Sequence, residues 1–488
     1  MIMRNACKYL IVALALLAAT ACSKFLEERT EDFDFLTPDN FPQTENDAEL
    51  LLAGTLGKFR SQSYYDRAYY FLAEVSGELV NSTATSGSRY DFDAYTWQPN
   101  NEYVVNLWNA SYDIIDGANT MIRKVPVAGQ LSDEKKRWYV GAGRFIRALA
   151  YFNLVRNYGK LPLLTEPVTD PEPAANLARA EINEVYDLIA ADLQYASDSL
   201  PAAWPGGLPG RPDQDAARAL LAQVYLTMAG APLRDNTKWA AAASYAKMVI
   251  DGGRYELLAD FGDLWKVANN NNRESIYAIQ YYTSGTGVSV MSVQSRPGNV
   301  GKESGWNYWT TSKSFMDEFP DTDKRKAATF LTSMDGKDYP AFSAGQPYLG
   351  KWIDAGRANF QDNNRRTNLN VPVIRFADVL LIYAEAENEA NGPANAYTAI
   401  NRVRDRAGLP ALGGLTQAQF RDSVRKERTH ELAFEYNRRY DLIRWQLLDQ
   451  VMGNDTLSKK SYTPNKALYP IPENELQLNP GLGQNDGY

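Results

Sequence analysis

The stretch Asp213-Gln-Asp-Ala-Ala-Arg-Ala-Leu-Leu-Ala-Gln-Val-Tyr-Leu226 follows Pro212 and runs on to Gly230 and Pro232. Apolar residues recur every three to four positions, an acidic residue opens the run and a Gly/Pro stop closes it, so the pattern predicts a helix over 213–229. Ala216, Ala219 and Ala222 leave little side chain between backbones, which predicts close packing on another helix. The same periodicity predicts helices over 132–157, with Phe145, Leu149, Phe152 and Val155 on one face, and over 181–199 and 237–250. It resumes at 375–391, through Phe376, Leu380, Tyr383 and Ala384, and at 394–407, where Gly408-Leu-Pro410 ends the helix. A further helix is expected over 416–437, before a Pro- and Gly-rich tail that should wrap the surface. The segments 159–175 and 201–212, dense in Pro and Gly, read as loops between helices.

Helix pairs of this kind predict a mainly α fold of tetratricopeptide-like hairpins with long loops and a few short strands, although no clean self-similarity of about 34 residues is visible. Residues 268–312 break the pattern. Four consecutive asparagines lead to a short strand, Ile276–Tyr282, and then to a Gly/Ser-rich run ending in Gly305-Trp-Asn-Tyr-Trp309. A loop of that length is usually functional or disordered, and its aromatics argue against disorder.

The 488 residues, 44% hydrophobic and 23% charged, can bury a large core. One histidine, His430, and two cysteines, Cys7 and Cys22, are too few for histidine triads, HExxH zinc sites or multi-cysteine clusters. No P-loop, dinucleotide glycine pattern or GxSxG is present. A net charge of −8 is the wrong sign for a general nucleic-acid or anionic-membrane surface. Tyrosine outnumbers phenylalanine 30 to 18, favouring rings that serve half-wet surfaces as well as cores.

Arg4 and Lys8 precede an apolar run from Tyr9 to Ala19, too short to span a bilayer and flanked like a cleavable export signal. Ala19-Thr20-Ala21-Cys22 resembles a bacterial lipobox, with Ala19 where Leu is usual; a plain signal peptide cut after Ala21 is the alternative. The expected organisation is a signal peptide over 1–21, a tether lipidated at Cys22 and rich in acidic residues over 22–43, a helical region over 44–260 and a C-terminal region over 261–488 that includes the aromatic loop 268–312. Cleavage would remove Cys7 and leave the folded part without a thiol. Several acyl chains on one cysteine give stable anchoring, and about 20 extended residues reach at most ~70 Å from the membrane. An acidic stretch after a lipidated cysteine also resembles the surface-export signal of Bacteroidetes lipoproteins, beside the alternative of a soluble linker.

Three stretches together resemble the SusD/RagB family of Bacteroidetes outer-membrane nutrient-binding lipoproteins. They are Val373-Ile-Arg-Phe-Ala-Asp-Val-Leu-Leu-Ile-Tyr-Ala-Glu-Ala386, then Val424-Arg-Lys-Glu-Arg-Thr-His-Glu-Leu-Ala-Phe-Glu435 running into Arg439-Tyr-Asp-Leu-Ile-Arg-Trp445, and Leu468-Tyr-Pro-Ile-Pro472 with Asn479-Pro480. Ala217–Leu226 and the lipobox fall where that family has them. The family often has Gly after the Phe-Glu pair, where this chain has Tyr436. The resemblance implies a SusD-like helical fold, no catalysis, no cofactor, and capture of oligo- or polysaccharide at the cell surface for a SusC-like TonB-dependent outer-membrane transporter. A minority of the family takes peptides instead.

Glu427, Glu431 and Glu435, spaced by four, would repel one another on a helix face unless partnered, and Arg402 and Arg406, or Arg438 and Arg439, are the expected partners. A carboxylate-only glycoside hydrolase is the catalytic alternative. His430, with no second ligand beside it, is expected to be structural. Sugars present apolar C–H faces between hydroxyl edges, so a glycan site needs exposed rings beside polar groups. The run 86–101, read as a loop, offers Tyr95 and Trp97 with Arg89, Asp91 and Asn100, and Gly305–Trp309 offers Trp306, Tyr308 and Trp309. The resemblance places glycan-binding aromatics in these two regions. Trp97, Trp306, Tyr308 and Trp309 are therefore the expected stacking platforms, and loss of Trp97 or Trp306 should weaken binding while sparing stability. The alternative is that such rings pack under their own loops. Tyr64, Tyr65, Tyr69 and Tyr70 are weaker choices, and Trp108, Tyr112, Trp138 and Trp445 fit a core.

Overall fold

In the computed structural model the described residues are 41–170, 176–282, 288–354, 366–454 and 461–488. The signal peptide, Cys22, nearly all of the tether, and Pro171 and Pro173 of the expected loop 159–175 lie outside them. The helices follow the hydrophobic periodicity: α1 Glu45–Lys58, α2 Ser88–Ala94, α3 Glu102–Lys124, α4 Asp133–Tyr158, α5 Ile182–Ser199, α6 Gln214–Ala229 and α7 Lys238–Asp251, then α8 Phe376–Asn391, α9 Tyr397–Arg406, α10 Gln417–Glu431 and α11 Arg438–Arg444. From α3 to α8 each packs on the next, and α8 also packs on α9 and α10. Asp213 accepts from the Ala216 amide at 2.9 Å and caps α6, as its place before the apolar run predicts. Ala216, Ala219 and Ala222 are all fully buried where α6 lies between α5 and α7.

Residues 252–375 thus leave the stack after α7 and return at α8. Four strands matter for this excursion: β1 Asn81–Ser82, β2 Ser275–Ile279, β3 Trp309–Thr310 and β4 Val371–Arg375. β2 pairs antiparallel with β4 and closes the base of the excursion, while β1 pairs antiparallel with β3 and ties its aromatic segment to the N-terminal region. The main core cluster runs from Ala48 to Leu482, and a small second one gathers Val300, Phe342 and Tyr348.

Two expectations are corrected. The helix expected over 416–437 ends at Glu431, and the chain then turns through Phe434 and Tyr436, both at positive φ, before α11. Tyr436 stands at φ 63°, the left-handed region that favours glycine. Its hydroxyl donates to the Tyr65 carbonyl at 2.6 Å and its ring packs against Tyr69 and Tyr70, contacts that offset the backbone cost. Residues 88–94, expected as loop, form α2.

The turn swings Glu435 away from the helix face, and the three glutamates enter one buried ion network. Glu431 accepts from Arg375 at 2.6 Å, from Arg325 at 3.0 Å and from Arg406. Glu427 accepts from Arg325 at 2.6 Å and Arg404 at 2.8 Å. Glu435 accepts from Arg375 at 2.8 Å and Lys351 at 2.6 Å, and Glu274 from Arg375 at 2.7 Å and Arg406 at 3.1 Å. Asp323 completes the set on Arg325. Five acids thus meet five bases. Of the partners expected from sequence, only Arg406 takes part: Arg402 lies over the Phe376 ring, Arg438 pairs with Glu78, and Arg439 donates to backbone carbonyls.

Burial alone would raise the Glu431 carboxyl, but Arg406, Arg375 and Arg325 together hold it well below the usual carboxylate range. Its contribution to stability is complete above the ordinary value of 4.5 and is lost as pH falls from there toward the folded-state value. Replacing Glu431 by Ala leaves three guanidiniums without their shared acceptor, and a loss of about 3–5 kcal/mol is expected in urea unfolding at pH 7. The wild type should lose stability below pH 4.5 more steeply than the variant. Equal stability of the two at pH 7 would show that the network is not holding the fold.

Candidate functional site

Residues 293–297 and 305–308 lie alongside one another, joined by four backbone hydrogen bonds. The amides of Gly305, Trp306, Asn307 and Tyr308 donate to the carbonyls of Pro297, Val293, Arg296 and Gln294 at 2.7–3.0 Å. A Cβ at Gly305 would stand 2.3 Å from the Val293 oxygen, so this approach requires glycine. Asn307 sits at φ 58° and turns the chain between the two outer rings. β3 then follows, and the rings separate. Trp309 points inward, 4.4 Å from Tyr70 between ring centres, and is fully buried. Trp306 faces solvent at 41% exposure, with half-buried Tyr308 at 5.6 Å and 40° to it.

Two guanidiniums flank this pair. Arg89 of α2 lies over the Tyr308 ring at 4.0 Å, and Arg67 lies 5.5 Å from the centre of Trp306 and 5.6 Å from that of Tyr308. Arg67 is positioned by Gln294, whose side-chain oxygen accepts from its Nε at 3.0 Å and whose amide donates to the Asp66 carbonyl at 3.0 Å. The same Gln294 offers its backbone carbonyl to Tyr308, so one residue aligns ring and guanidinium. Asp66 anchors the base of the site. Its carboxylate accepts from Ser289 Oγ at 2.6 Å and the Val290 amide at 2.9 Å, while burial pushes it up to about 7 against these hydrogen bonds and Arg67.

Comparison with known proteins gives the family of the chain. Residues 329–488 match the model of the SusD family, and residues 32–226 match a model described as starch-binding associating with outer membrane. A SusD-like protein, P2, of Formosa agariphila is 31% identical over 99% of this chain and all of its own length. The chain belongs to the SusD family. A SusD homolog from Bacteroides thetaiotaomicron superposes with a TM-score of 0.83 at 26% identity, covering 94% of this chain and all of that one. A laminarin-binding SusD-like protein superposes with a TM-score of 0.77 at 26% identity, covering 91% of this chain and all of that one.

Within this SusD-family chain the expected site residues divide. Trp306, Tyr308 and Arg89 come together at the surface, while Trp97, Tyr95 and Trp309 are buried and cannot offer a stacking face. Trp97 packs on Tyr95, Phe92 and Tyr469, and its indole N–H donates to the hydroxyl of Tyr488 at 2.6 Å. Tyr95 ends α2 at φ 59° and turns its hydroxyl inward to the Ser76 carbonyl and to Arg439. Asp91 is occupied at the base of α2, accepting from Thr96 Oγ1 at 2.9 Å and Asn101 Nδ2 at 3.1 Å, and Asn100 stands exposed in the turn before α3. Arg67 escaped sequence reasoning. It lies among Tyr64, Tyr65, Tyr69 and Tyr70, which are all buried, and the only signal was a cation in a tyrosine-rich turn.

The alternatives are structural. Each of Glu427, Glu431 and Glu435 is buried with its oxygens on arginine or lysine, and His430 stacks on Phe319 at 4.2 Å. Two larger clefts, of about 400 Å³ beside Glu78 and Arg438 and about 340 Å³ beside Arg254 and the 207–211 loop, have no exposed ring; the aromatics lining them are Phe315 in the first and Trp204, Tyr255 and Tyr277 in the second, all buried. Trp97→Ala therefore removes a core side chain. It is expected to cost about 3–5 kcal/mol in thermal or urea unfolding, and a variant with unchanged melting temperature would show that the ring is not part of the core.

Proposed function

We propose that this chain is a non-enzymatic, cell-surface lipoprotein that captures oligo- or polysaccharide on the Trp306–Tyr308 platform and delivers it to a SusC-like TonB-dependent outer-membrane transporter. The exposed indole of Trp306 beside Tyr308, fixed on a hydrogen-bonded pedestal, carries this reading. A pyranose offers a flat patch of C–H groups that desolvates against an aromatic face, with its hydroxyls left for donors at the edge. Arg67 and Arg89 supply such donors. Because Gly305 and Gln294 hold the turn in place before any ligand arrives, little ordering cost falls on binding.

The starch-binding description of the N-terminal match and the laminarin-binding relative support a glycan rather than a peptide. Among the described residues no helix is long and apolar enough to cross a membrane. In this reading lipid on Cys22 attaches the chain, and the acidic tether would carry the platform clear of the membrane.

Trp306→Ala is expected to weaken oligosaccharide binding at least about tenfold, ~1.4 kcal/mol, with unfolding free energy changed by less than about 0.5 kcal/mol. Calorimetry with laminari-, malto- and xylogluco-oligosaccharides, beside a set of peptides, checks this. Unchanged glycan affinity would remove the platform from the site, and new reducing ends on incubation would overturn the non-enzymatic reading.

A further inference from the structure

We propose that the platform selects an acidic glycan, whose carboxylate or sulfate is held by Arg67 and Arg89 while a sugar ring stacks on Trp306. This rests on the glycan-binding reading and adds the charge of the ligand to it. The observation behind it is that two arginines without a carboxylate partner meet at one solvent-facing aromatic pair. Arg325, Arg375, Arg406, Arg428 and Arg444 each meet carboxylates. Among the described residues neither Arg67 nor Arg89 has a carboxylate at ion-pair distance. Arg67 has the Gln294 amide oxygen and two ring faces, and Arg89 has the face of Tyr308.

The acids in the neighbouring segments do not neutralise them. Asp66 directs its carboxyl to Ser289 and Val290, and burial leaves it only partly ionised near neutral pH. Asp91 is held by Thr96 and Asn101, Asp93 accepts from the Ser82 amide, and Glu303 pairs with Arg296. Glu102, exposed at the start of α3, forms no ion pair with either arginine.

Two guanidiniums sharing one tyrosine ring repel each other, and the protein leaves that repulsion in place although its net charge is −8. An arriving anion relieves it. A guanidinium is a planar fork of N–H donors matched to carboxylate and sulfate oxygens, and stacking on a ring orients it in advance.

The test uses the whole mature chain and two matched pairs of probes: oligogalacturonate against its methyl ester, and a sulfated carrageenan oligosaccharide against its desulfated form. Within each pair the sugar rings and linkages are the same and only the charge differs, so the pairs also tell carboxylate from sulfate. In calorimetry at 50 mM salt, the acidic member of at least one pair is expected to bind tenfold or more tighter than its neutral partner. That ratio should shrink at 500 mM salt. Arg89→Gln should bring it close to one; the Arg89 side chain makes no hydrogen bond to the described residues, so this variant disturbs the fold least. Trp306→Ala should weaken both members together. Neutral members binding as tightly as their acidic partners would overturn the charge selection and leave glycan capture standing. Failure of every probe, and of laminari-oligosaccharide as well, would overturn both.

Discussion

The carboxylate of Glu431, sealed from water and shared by Arg325, Arg375 and Arg406, is the contact on which the rest of the arrangement depends. Together the four groups come from four places in the chain. Arg375 ends β4, Arg406 ends α9, Arg325 belongs to the excursion, and Glu431 itself closes α10. Moving such charges out of water is costly, and only complete pairing recovers the cost. Five acids against five bases achieve that pairing, and for Glu431 geometry enforces it: its carboxylate is satisfied only when the excursion, the strand pair and the helix stack are all in place. Burial draws Lys351 down to about 8 even against Glu435, the mark of a site where every charge relies on its neighbours. The network therefore fastens the loop-rich half, which carries the ring platform, to the helical half.

The helices were legible because their signal is local. Asp213 before an apolar run and Gly408 after one act within a few residues, and the observed bounds of α4 to α9 lie close to those expected. The end of α10 was not legible, because Leu432 to Asn437 keep helical-looking spacing. What stops the helix is the pull of Arg375 and Lys351 on Glu435, contacts made with residues 60 and 84 positions away. The loop 86–101 was misread for a similar reason. Its polar and aromatic content suits a surface, yet α2 forms there with Phe92 and Ala94 turned into the core.

The site was half legible. Aromatic density in Gly305–Trp309 pointed to a turn whose Trp306 and Tyr308 do reach the surface. Nothing local separates them from Trp309, which β1 pulls inward, or from Trp97, which is covered by Tyr488 from the far end of the chain. Burial of a ring is decided by what closes over it, and for Trp97 that is a residue 391 positions away. Of the two guanidiniums Arg89 was expected and Arg67 was hidden, because they become neighbours only through the ring of Tyr308. The scarcity of histidine and cysteine keeps its meaning throughout, because the proposed recognition surface consists of tryptophan, tyrosine and arginine.

Hydrogen–deuterium exchange with and without bound oligosaccharide tests the central claim most directly, because it locates the ligand without altering a residue. Protection should appear in peptides covering 61–67, 86–94 and 293–308, with 427–444 unchanged because its ion pairs already exclude water. Protection confined to the cleft formed by 203–213 and 271–280, with 293–308 unaffected, would contradict the account and move the site to the opposite cleft.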